Sequence, residues 1–257
     1  MIETITSKDN ALLKRIRQLG RDGTAYRELG LVWLEGDHLI RAATQRGHQP
    51  EVVVWTAQGL DQWSAWLQWP VRHVQVDSVV MKGLSELGSS PTVGALFACG
   101  VSPAVARGEP TVVLDRLQDP GNVGSIVRSA SAMGFTQIVA LRGTVALWSP
   151  KVVRAGMGAH FHLRLVEQQD AASVVGLGVP LLATSSHQGD WLHEAALPWP
   201  CAWLMGHEGQ GVAVELMAAA AQTVRITQPG GEESLNVAAA AAICLHASAA
   251  TRSALSL

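Results

Sequence analysis

Three stretches of the sequence place glycines beside polar side chains that could hold a ligand. They are LDRLQDPGNVGSIVRSASAMGF, LMGHEGQGV and ITQPGGEESLNVAAAAA, which begin at residues 114, 204 and 226. Each opens with apolar residues that predict a strand, and α/β sheets bind their ligands at turns that follow strands. The polar residues that these turns carry are Asn122, Arg128, Glu208, Ser234 and Asn236. A sheet that needed only connections would not require such a set three times, so the pattern favours a functional site.

Each of the three turns also has a purely structural explanation. Asp119, Ser234 and Asn236 stand ahead of predicted helices, where they could cap unpaired backbone N–H groups. The glycines of GHEGQG, residues 206–211, could simply let the backbone turn sharply. Taken one at a time, the residues leave both interpretations open.

Other kinds of reaction centre find little support in the residues. The spacing GxxGxG differs from the GxGxxG of a dinucleotide site, and the sequence holds neither a GxxxxGKS/T phosphate loop nor a GxSxG elbow. His160 and His162 would share one face of a strand, but no third ligand is evident nearby, so we predict no metal site. Cys99, Cys201 and Cys244 are too few and too far apart for a disulfide framework, which is typical of a reducing cytoplasm.

The composition is that of a globular protein without a dominant charge. The chain has 257 residues, 48% hydrophobic and 16% charged, which is enough apolar material for two unequal domains. Its 19 Lys and Arg residues nearly balance 21 Asp and Glu residues, so the whole chain lacks the basic balance typical of nucleic-acid binders. The first 27 residues do have a basic excess, which either contacts nucleic acid or forms a solvated helix face. Since no apolar run suits a signal peptide or a membrane span, we expect a cytoplasmic protein.

The hydrophobic pattern predicts alternating strands and helices, and therefore an α/β fold. A basic amphipathic helix is expected at residues 10–18, where leucines and Ile16 recur at helical spacing. The segment DQWSAWLQW from Asp61 also predicts a helix. Four of the nine tryptophans cluster between residues 55 and 69, which we attribute to packing rather than to base stacking.

A linker is predicted where prolines and glycines concentrate in GVSPAVARGEP, from residue 100 to 110. We therefore expect a smaller α/β domain at residues 1–100, a linker at 101–110 and a second domain at 111–257. The second domain should contain a mostly parallel sheet with helices on both faces, because predicted apolar strands alternate with turns and helices there. These strands are TVVLDRL, QIVALRG, LRLVEQ, VPLLATS and CAWLMG.

The three turns, taken in order, resemble the motifs of SpoU/TrmH-type RNA 2′-O-ribose methyltransferases of the SPOUT superfamily. DPGNVGSIVRSASAMGF is similar to the first motif of that family, LMGHEGQGV to the second and ESLNVAAAAA to the third. SPKVVRAGMGAHF, from Ser149, also resembles a family segment. The resemblance covers residues 105–257, and the first hundred residues more loosely resemble the accessory RNA-binding domain of many members.

This resemblance implies an enzyme that transfers a methyl group from S-adenosyl-L-methionine to a ribose 2′-hydroxyl of structured RNA, with ribosomal RNA favoured over transfer RNA. It also implies a deep trefoil knot in the C-terminal domain and a homodimer in which the arginine of one chain completes the site of the other. A non-catalytic RNA-binding or assembly factor with the same fold is the alternative from another class. A nucleotide-dependent oxidoreductase would suit the fold pattern alone.

The resemblance also assigns roles to individual residues. Arg128 would hold the 2′-hydroxyl and a neighbouring phosphate, since a guanidinium is an awkward base. Glu208 would orient Arg128, Asn122 and Asn236 would fix the ribose and the arginine, and Ser234 would support the hydroxyl network. The implied cofactor contacts are Met205, Gly206, Gly211, Ile226 and Leu235. The implied RNA contacts are Lys14, Arg15 and Arg17.

The sequence departs from the family pattern at two places. Many relatives have serine where this chain has Gly156, and many read Ile-Pro-Met where this chain has Ile226, Thr227 and Gln228. Pro229 follows two positions late. We expect these departures to change the shape of the cofactor pocket wall.

Overall fold

The computed structural model describes residues 2–85, 90–99, 103–185, 188–230 and 234–255. Contacts between residues divide the chain into two compact units. The first unit consists of Met1–Val101 together with Trp148–Phe161, and the second of Ser102–Leu147 together with His162–Leu257. A stretch from the middle of the chain therefore belongs to the first unit.

Strands and helices alternate along the described ranges, so the fold is α/β as predicted. The strands are β1 (Ile2–Thr4), β2 (Leu31–Glu35), β3 (Pro50–Trp55), β4 (Arg72–Gln75), β5 (Val93–Ala98), β6 (Thr111–Leu114), β7 (Gln137–Leu141), β8 (Arg164–Gln169), β9 (Leu181–Thr184), β10 (Asp190–Trp191), β11 (Ala202–Met205) and β12 (Gln222–Arg225). The helices are α1 (Ala11–Arg21), α2 (Tyr26–Leu29), α3 (Asp37–Thr44), α4 (Ala57–Gln62), α5 (Ser78–Lys82), α6 (Pro120–Ala132), α7 (Pro150–Gly156), α8 (Ala171–Val175), α9 (Val214–Ala219) and α10 (Val237–Leu255). Short 3₁₀ helices cover Ser64–Gln68 and Ala159–His162. Within these ranges, none of the helices combines the length and the apolarity of a membrane span.

The first unit contains a mixed sheet with the strand order β1-β4-β3-β5-β2. The pairs of β4 with β1 and β3 are parallel, whereas β5 runs antiparallel to β3 and β2. The predicted basic helix is α1, in which Leu13 and Ile16 are fully buried and Asn10 caps the first turn by accepting a hydrogen bond from the Leu12 N–H at 2.9 Å. Its apolar face packs into the unit, which leaves the basic residues on the outer face.

The tryptophan cluster of the first unit forms a stacked ladder. The predicted helix over DQWSAWLQW changes after α4 into a 3₁₀ helix, in which residues three apart eclipse each other. Trp63 and Trp66 therefore stack at 5.5 Å between ring centroids, and Trp66 and Trp69 at 4.9 Å. The Arg41 guanidinium lies 4.6 Å from the centroid of Trp63. Each ring in the ladder thus has a packing partner inside the unit.

The segment Trp148–Phe161 packs among residues from the start of the chain, within the first unit. The Phe161 ring lies 5.0 Å from the ring of His48 and 5.8 Å from that of Phe97. Gly158 has a φ of +83°, and a Cβ there would lie 2.4 Å from the Cβ of Ala42. Only glycine permits this close approach, because a larger residue would both clash and adopt a strained conformation.

The second unit is built on a sheet with the strand order β10-β12-β9-β11-β6-β7-β8, in which every pair of neighbours is parallel. Val113, Val139 and Leu204 are fully buried in its core. A parallel sheet that is covered on both faces needs nearly continuous apolar strands, which is why the sequence predicted β6, β7, β8, β9 and β11. Because β6 and β11 are parallel neighbours, the turns that follow them meet at the same edge of the sheet.

Candidate active site

The structure brings the three polar turns of the sequence together in the second unit. The side-chain amide of Asn122 donates a hydrogen bond to Glu208 Oε1 at 3.3 Å, which joins the first turn to the second. Asn236 Nδ2 donates to Asn122 Oδ1 at 3.0 Å, which joins the third turn to the first. Asn122 therefore links Glu208 and Asn236 into one continuous network.

Glu208 is the acceptor at one end of this network. Its carboxylate accepts hydrogen bonds from the backbone N–H groups of Gln118 at 3.3 Å and Asp119 at 3.2 Å, besides the bond from Asn122. Partial burial, the largest single influence, raises the pKa of Glu208. The hydrogen bonds from its own backbone N–H, from Asp119, from Asn122 and from Gln118 outweigh it, so the pKa lies below its ordinary value. The side chain is consequently a fixed anion at neutral pH.

Helix capping and the network use the same residues. Asp119 Oδ1 accepts from the Asn122 N–H at 2.7 Å and so caps α6. Asn236 Oδ1 accepts from Ala238 N at 2.9 Å and caps α10, while its amide nitrogen holds Asn122. Helix capping thus explains the carboxylate of Asp119 and the side-chain oxygen of Asn236, but not the amide nitrogen of Asn236. Ser234 precedes α10 by three positions and lies exposed on the wall of a neighbouring cleft.

That cleft has a volume of about 670 Å³ and lies along the glycine loop, so we call it the glycine-loop cleft. Four of the five predicted cofactor contacts line it, namely Gly206, Gly211, Ile226 and Leu235. The fifth, Met205, is buried at the end of β11 with 1% of its surface exposed. The lining combines apolar side chains, such as Ile226 and Leu235, with polar groups of the loop backbone and of polar side chains that include Gln228, Ser234 and Asn236.

The glycine loop is closed on itself by short contacts. His207 and Gly211 exchange backbone hydrogen bonds at 3.0 and 2.8 Å, and His207 Nδ1 accepts from the N–H groups of Gly209 and Gln210 at 3.0 and 3.2 Å. A Cβ on Gly206 would lie 2.2 Å from the backbone of Gly211 and Val212. The close backbone approach therefore requires glycine at 206, as the sequence suggested for this turn.

The residues of the cleft suit S-adenosylmethionine. A volume of several hundred Å³ is typical of a site for a small organic ligand. The carboxamide oxygen of Gln228 is buried and has no hydrogen-bond partner within the described ranges, so an acceptor on the cleft wall is available to a ligand. Gln228 is one of the departures from the family pattern. Gly156, the other, is buried in α7 of the first unit and is not among the residues that line this cleft.

Arg128 is separated from the network to which sequence reasoning assigned it. It lies exposed on α6, six positions after Asn122, which is about 600° of helical rotation and about 9 Å along the axis. Within the described part of the chain its side chain makes no hydrogen bond and no ion pair, and Glu208 takes its hydrogen bonds from other donors. Glu208 therefore does not orient Arg128 inside one chain.

The pair Asp115 and Arg116 was missed by the sequence analysis. Asp115 is 2% exposed and forms an ion pair with Arg116 at 2.7 Å, and its Oδ2 accepts from the Ala213 N–H at 2.7 Å. The carboxylate of Asp115 raises the pKa of Arg116. Two adjacent opposite charges directly after an apolar strand were the available signal, but a sequence does not show that they face each other.

The predicted RNA contacts lie on α1 of the first unit. Lys14 and Arg15 are exposed, and Lys14 lies 3.3 Å from Asp9. Arg17 is half-buried and donates a hydrogen bond to the carbonyl of Lys8. Surface ion pairs of this kind contribute little to stability, so the two exposed cations are available to a partner.

Comparison with known proteins places the chain among methyltransferases. The model of the SpoU rRNA Methylase family matches residues 109–246, which is more than half of the chain and contains all three turns. An uncharacterized tRNA/rRNA methyltransferase of Synechocystis is 31% identical over 95% of this chain and 93% of that protein. The 23S rRNA (guanosine(2553)-2′-O)-methyltransferase RlmP of Bacillus subtilis is 32% identical over 55% of this chain and 58% of that protein.

Solved structures agree with these relatives. The AdoMet-bound rRNA methyltransferase from Sinorhizobium meliloti superposes with a TM-score of 0.84 at 28% identity, over 99% of this chain and 98% of that one. The SpoU methyltransferase AviRb from Streptomyces viridochromogenes, in complex with AdoMet, gives a TM-score of 0.83 at 25% identity, over 95% and 98% of the two chains. The chain belongs to the SpoU rRNA methylase family, which confirms the resemblance of its three motifs.

Proposed function

We propose that this protein transfers a methyl group from S-adenosylmethionine to a ribose 2′-hydroxyl of ribosomal RNA. The observation that carries the proposal is the network Glu208–Asn122–Asn236 beside the glycine-loop cleft, within the matched family region. Relatives named as rRNA 2′-O-methyltransferases and neighbours with bound AdoMet support it. A protein that only binds RNA would not need this cleft.

The glycine-loop cleft would hold the cofactor, whose sulfonium makes the methyl group ready for transfer. Gly206 lets the loop close against Gly211, so that loop backbone forms part of the cleft wall, and Ile226 with Leu235 supplies apolar contact. Since the leaving group is already good, most of the acceleration comes from positioning the acceptor and from stabilising its developing negative charge. The rigid loop supports this function because it fixes one wall of the cleft.

On the acceptor side, Asn122 and Asn236 would hold the ribose. Their amides are already oriented by Glu208 and by the first turn of α10, so little entropy is lost when a hydroxyl is bound. Ser234, on the same cleft wall, would add a further hydroxyl contact. Arg128 would hold the 2′-hydroxyl and a neighbouring phosphate, which a guanidinium does with two parallel N–H groups.

We further propose a homodimer that brings Arg128 to the site of the other copy. In one chain Arg128 lies on a different side of α6 from Asn122. Small exposed residues accompany it on that helix, and α6 packs against α10, on which Ile243 is 41% exposed. An exposed arginine among small residues of α6 suits contact with a second copy.

The remaining assignments rest on the family resemblance. The motifs support a deep trefoil knot in the second unit, and the basic face of α1 supports RNA binding by the first. Lys14, Arg15 and Arg17 are the residues proposed for that contact. We keep residues 1–100, 101–110 and 111–257 as the proposed accessory domain, linker and methyltransferase domain.

Calorimetry with S-adenosylmethionine, S-adenosylhomocysteine and NAD tests the proposed function on the intact protein. We expect the first two ligands to bind at micromolar concentrations and NAD not to bind. Absence of binding by both sulfur compounds would contradict the proposal. Mass spectrometry of ribose-methylated nucleotides from a deletion strain then identifies the RNA. If the lost methyl group belongs to transfer RNA, the substrate is transfer RNA and not ribosomal RNA.

A further inference from the structure

A second cleft, of about 450 Å³, lies beyond the carboxyl ends of β6, β7 and β8. Arg116, Arg142 and Gln169 belong to the ends of these strands and line it together with Glu215 of α9, so we call it the arginine cleft. Gln210, in the glycine loop, is part of the wall of both this cleft and the glycine-loop cleft.

Arg116 is held rigidly in the wall of the arginine cleft. Its Nε and Nη2 donate to the two oxygens of buried Asp115 at 2.7 and 3.0 Å, and its Nη1 donates to Gln210 Oε1 at 3.0 Å. The residue has a φ of +58°, which is uncommon for a side chain other than glycine. A guanidinium has five N–H groups, so two remain for a ligand after these three bonds.

Two other residues of the cleft, Arg142 and Gln169, keep unused hydrogen-bonding atoms, whereas Asp170 does not. Asp170 is occupied as the cap of α8, where it accepts from Ser173 N at 3.1 Å. Arg142, by contrast, is exposed and makes no side-chain hydrogen bond among the described residues. Gln169 donates from its amide nitrogen to the Glu167 carbonyl, which leaves its oxygen available. Glu215 is exposed on α9 and lines the same cleft. The Asp115 carboxylate, and to a smaller extent that of Glu215, raises the pKa of Arg116.

We propose that the arginine cleft binds a guanine base of the RNA substrate, an inference that rests on the methyltransferase function proposed above. The cleft combines cationic donors with the carboxylate of Glu215, which would repel a phosphate. Guanine offers the acceptors O6 and N7 to an arginine and an amino group to a carboxylate. Unpaired RNA bases are bound in such protein pockets through their edges. The exposed side chain of Val214, at the rim, adds an apolar surface for the base.

The test measures fluorescence anisotropy of labelled oligouridine hexamers with one central G, A or C, bound to the intact protein at constant salt. We expect wild-type protein to bind the G hexamer at least about fivefold more tightly than oligouridine, as one good bidentate contact provides. Arg142→Ala and Glu215→Ala should each remove that preference. Arg107→Ala, which changes an exposed arginine outside both clefts, should retain it.

Two results would overturn the inference. One is a wild-type protein that does not discriminate among the hexamers. The other is an Arg142→Ala variant that weakens all hexamers equally, since that result indicates a phosphate contact. Calorimetry with S-adenosylmethionine on the same proteins separates this inference from the proposed function, because Arg142→Ala should bind the cofactor as wild type does. If the protein prefers guanine but does not bind the cofactor, the proposed methyltransferase function is refuted and the proposed guanine site is supported.

Discussion

Both units of this chain form a cleft where parallel strands end, but the two clefts differ in their chemistry. In the first unit a cleft of about 470 Å³ follows β1, β3 and β4, and most of its polar residues are neutral, such as Thr6 and Gln75. Thr56 and Asp77 there are used as helix caps of α4 and α5. In the second unit Glu208 and the ion pair Asp115–Arg116 connect separate turns. The ends of parallel strands are therefore enough to form a cleft, but a functional site also needs charged groups that link separate turns.

The largest effect is expected when the second unit, which holds the charged groups, loses the guanidinium of Arg128. We expect Arg128→Ala to lower methyl transfer by about 100- to 1,000-fold, because loss of one group that stabilises charge on the reacting oxygen has effects of this size. Its cofactor affinity should stay within about twofold of wild type, since the role we propose for Arg128 is on the acceptor side. Ser125→Ala, on the same exposed face of α6, is the matched control. Equal loss of transfer and cofactor affinity would show that the assignment is wrong.

The glycine loop offers a test of intermediate size. In Gly206→Ala the new Cβ would lie 2.2 Å from the backbone of Gly211, so the loop must shift and we expect cofactor affinity to fall by about tenfold or more. In Gly209→Ala the nearest atom, on His207, is 3.9 Å away, and affinity should hardly change. Calorimetry of both variants measures this contrast. Similar affinities in the two variants would mean that the loop does not form the cofactor wall.

The ionised state of Glu208 predicts a pH dependence of stability. Its pKa in the folded chain lies below the ordinary value of 4.5, so the carboxylate stabilises the fold above that pH. The contribution disappears as pH falls through the lowered pKa. We expect the Tm difference between wild type and Glu208→Gln to be larger at about pH 7 than at about pH 3. A difference that does not change with pH would contradict the assigned hydrogen-bond network.

The smallest effect on activity is expected in the first unit. Asp77→Ala removes the cap that accepts from Val80 N at 2.7 Å, which should lower stability by about 1 kcal/mol. Methyl transfer by the folded variant should stay within about twofold of wild type. Thermal unfolding and a transfer assay measure the two quantities on one sample. A large loss of transfer at unchanged stability would assign catalytic importance to the neutral cleft.

The sequence predicted the central strands of the second unit well because a covered parallel sheet leaves long apolar runs. It did not predict short edge strands such as β10, whose two residues carry no recognisable pattern. It also predicted one helix over DQWSAWLQW, where the chain changes to a 3₁₀ helix after Gln62. The stacking of Trp63, Trp66 and Trp69 accompanies the 3₁₀ geometry, and a helix prediction from hydrophobic spacing does not contain these ring pairs.

The candidate site was predicted as a set of residues but not as an arrangement. Glycines and polar residues after strands pointed to Asn122, Glu208 and Asn236, which the structure joins by hydrogen bonds. Arg128 was expected beside Glu208, since a motif gives sequence order without the rotation of α6. Arg116 was missed because its importance depends on the buried carboxylate of Asp115.

The segment Trp148–Phe161 limits how this protein can be rearranged in evolution. The chain passes between its two compact units near residues 101, 147 and 161. A gene fusion or exchange at residues 100–110 would therefore transfer the start of the first unit without Phe161, whose ring packs at a tilt against His48 and Phe97. An exchange of the first hundred residues alone would leave Phe161 without its native ring contacts, so we expect such a variant to be less stable than the parent chain.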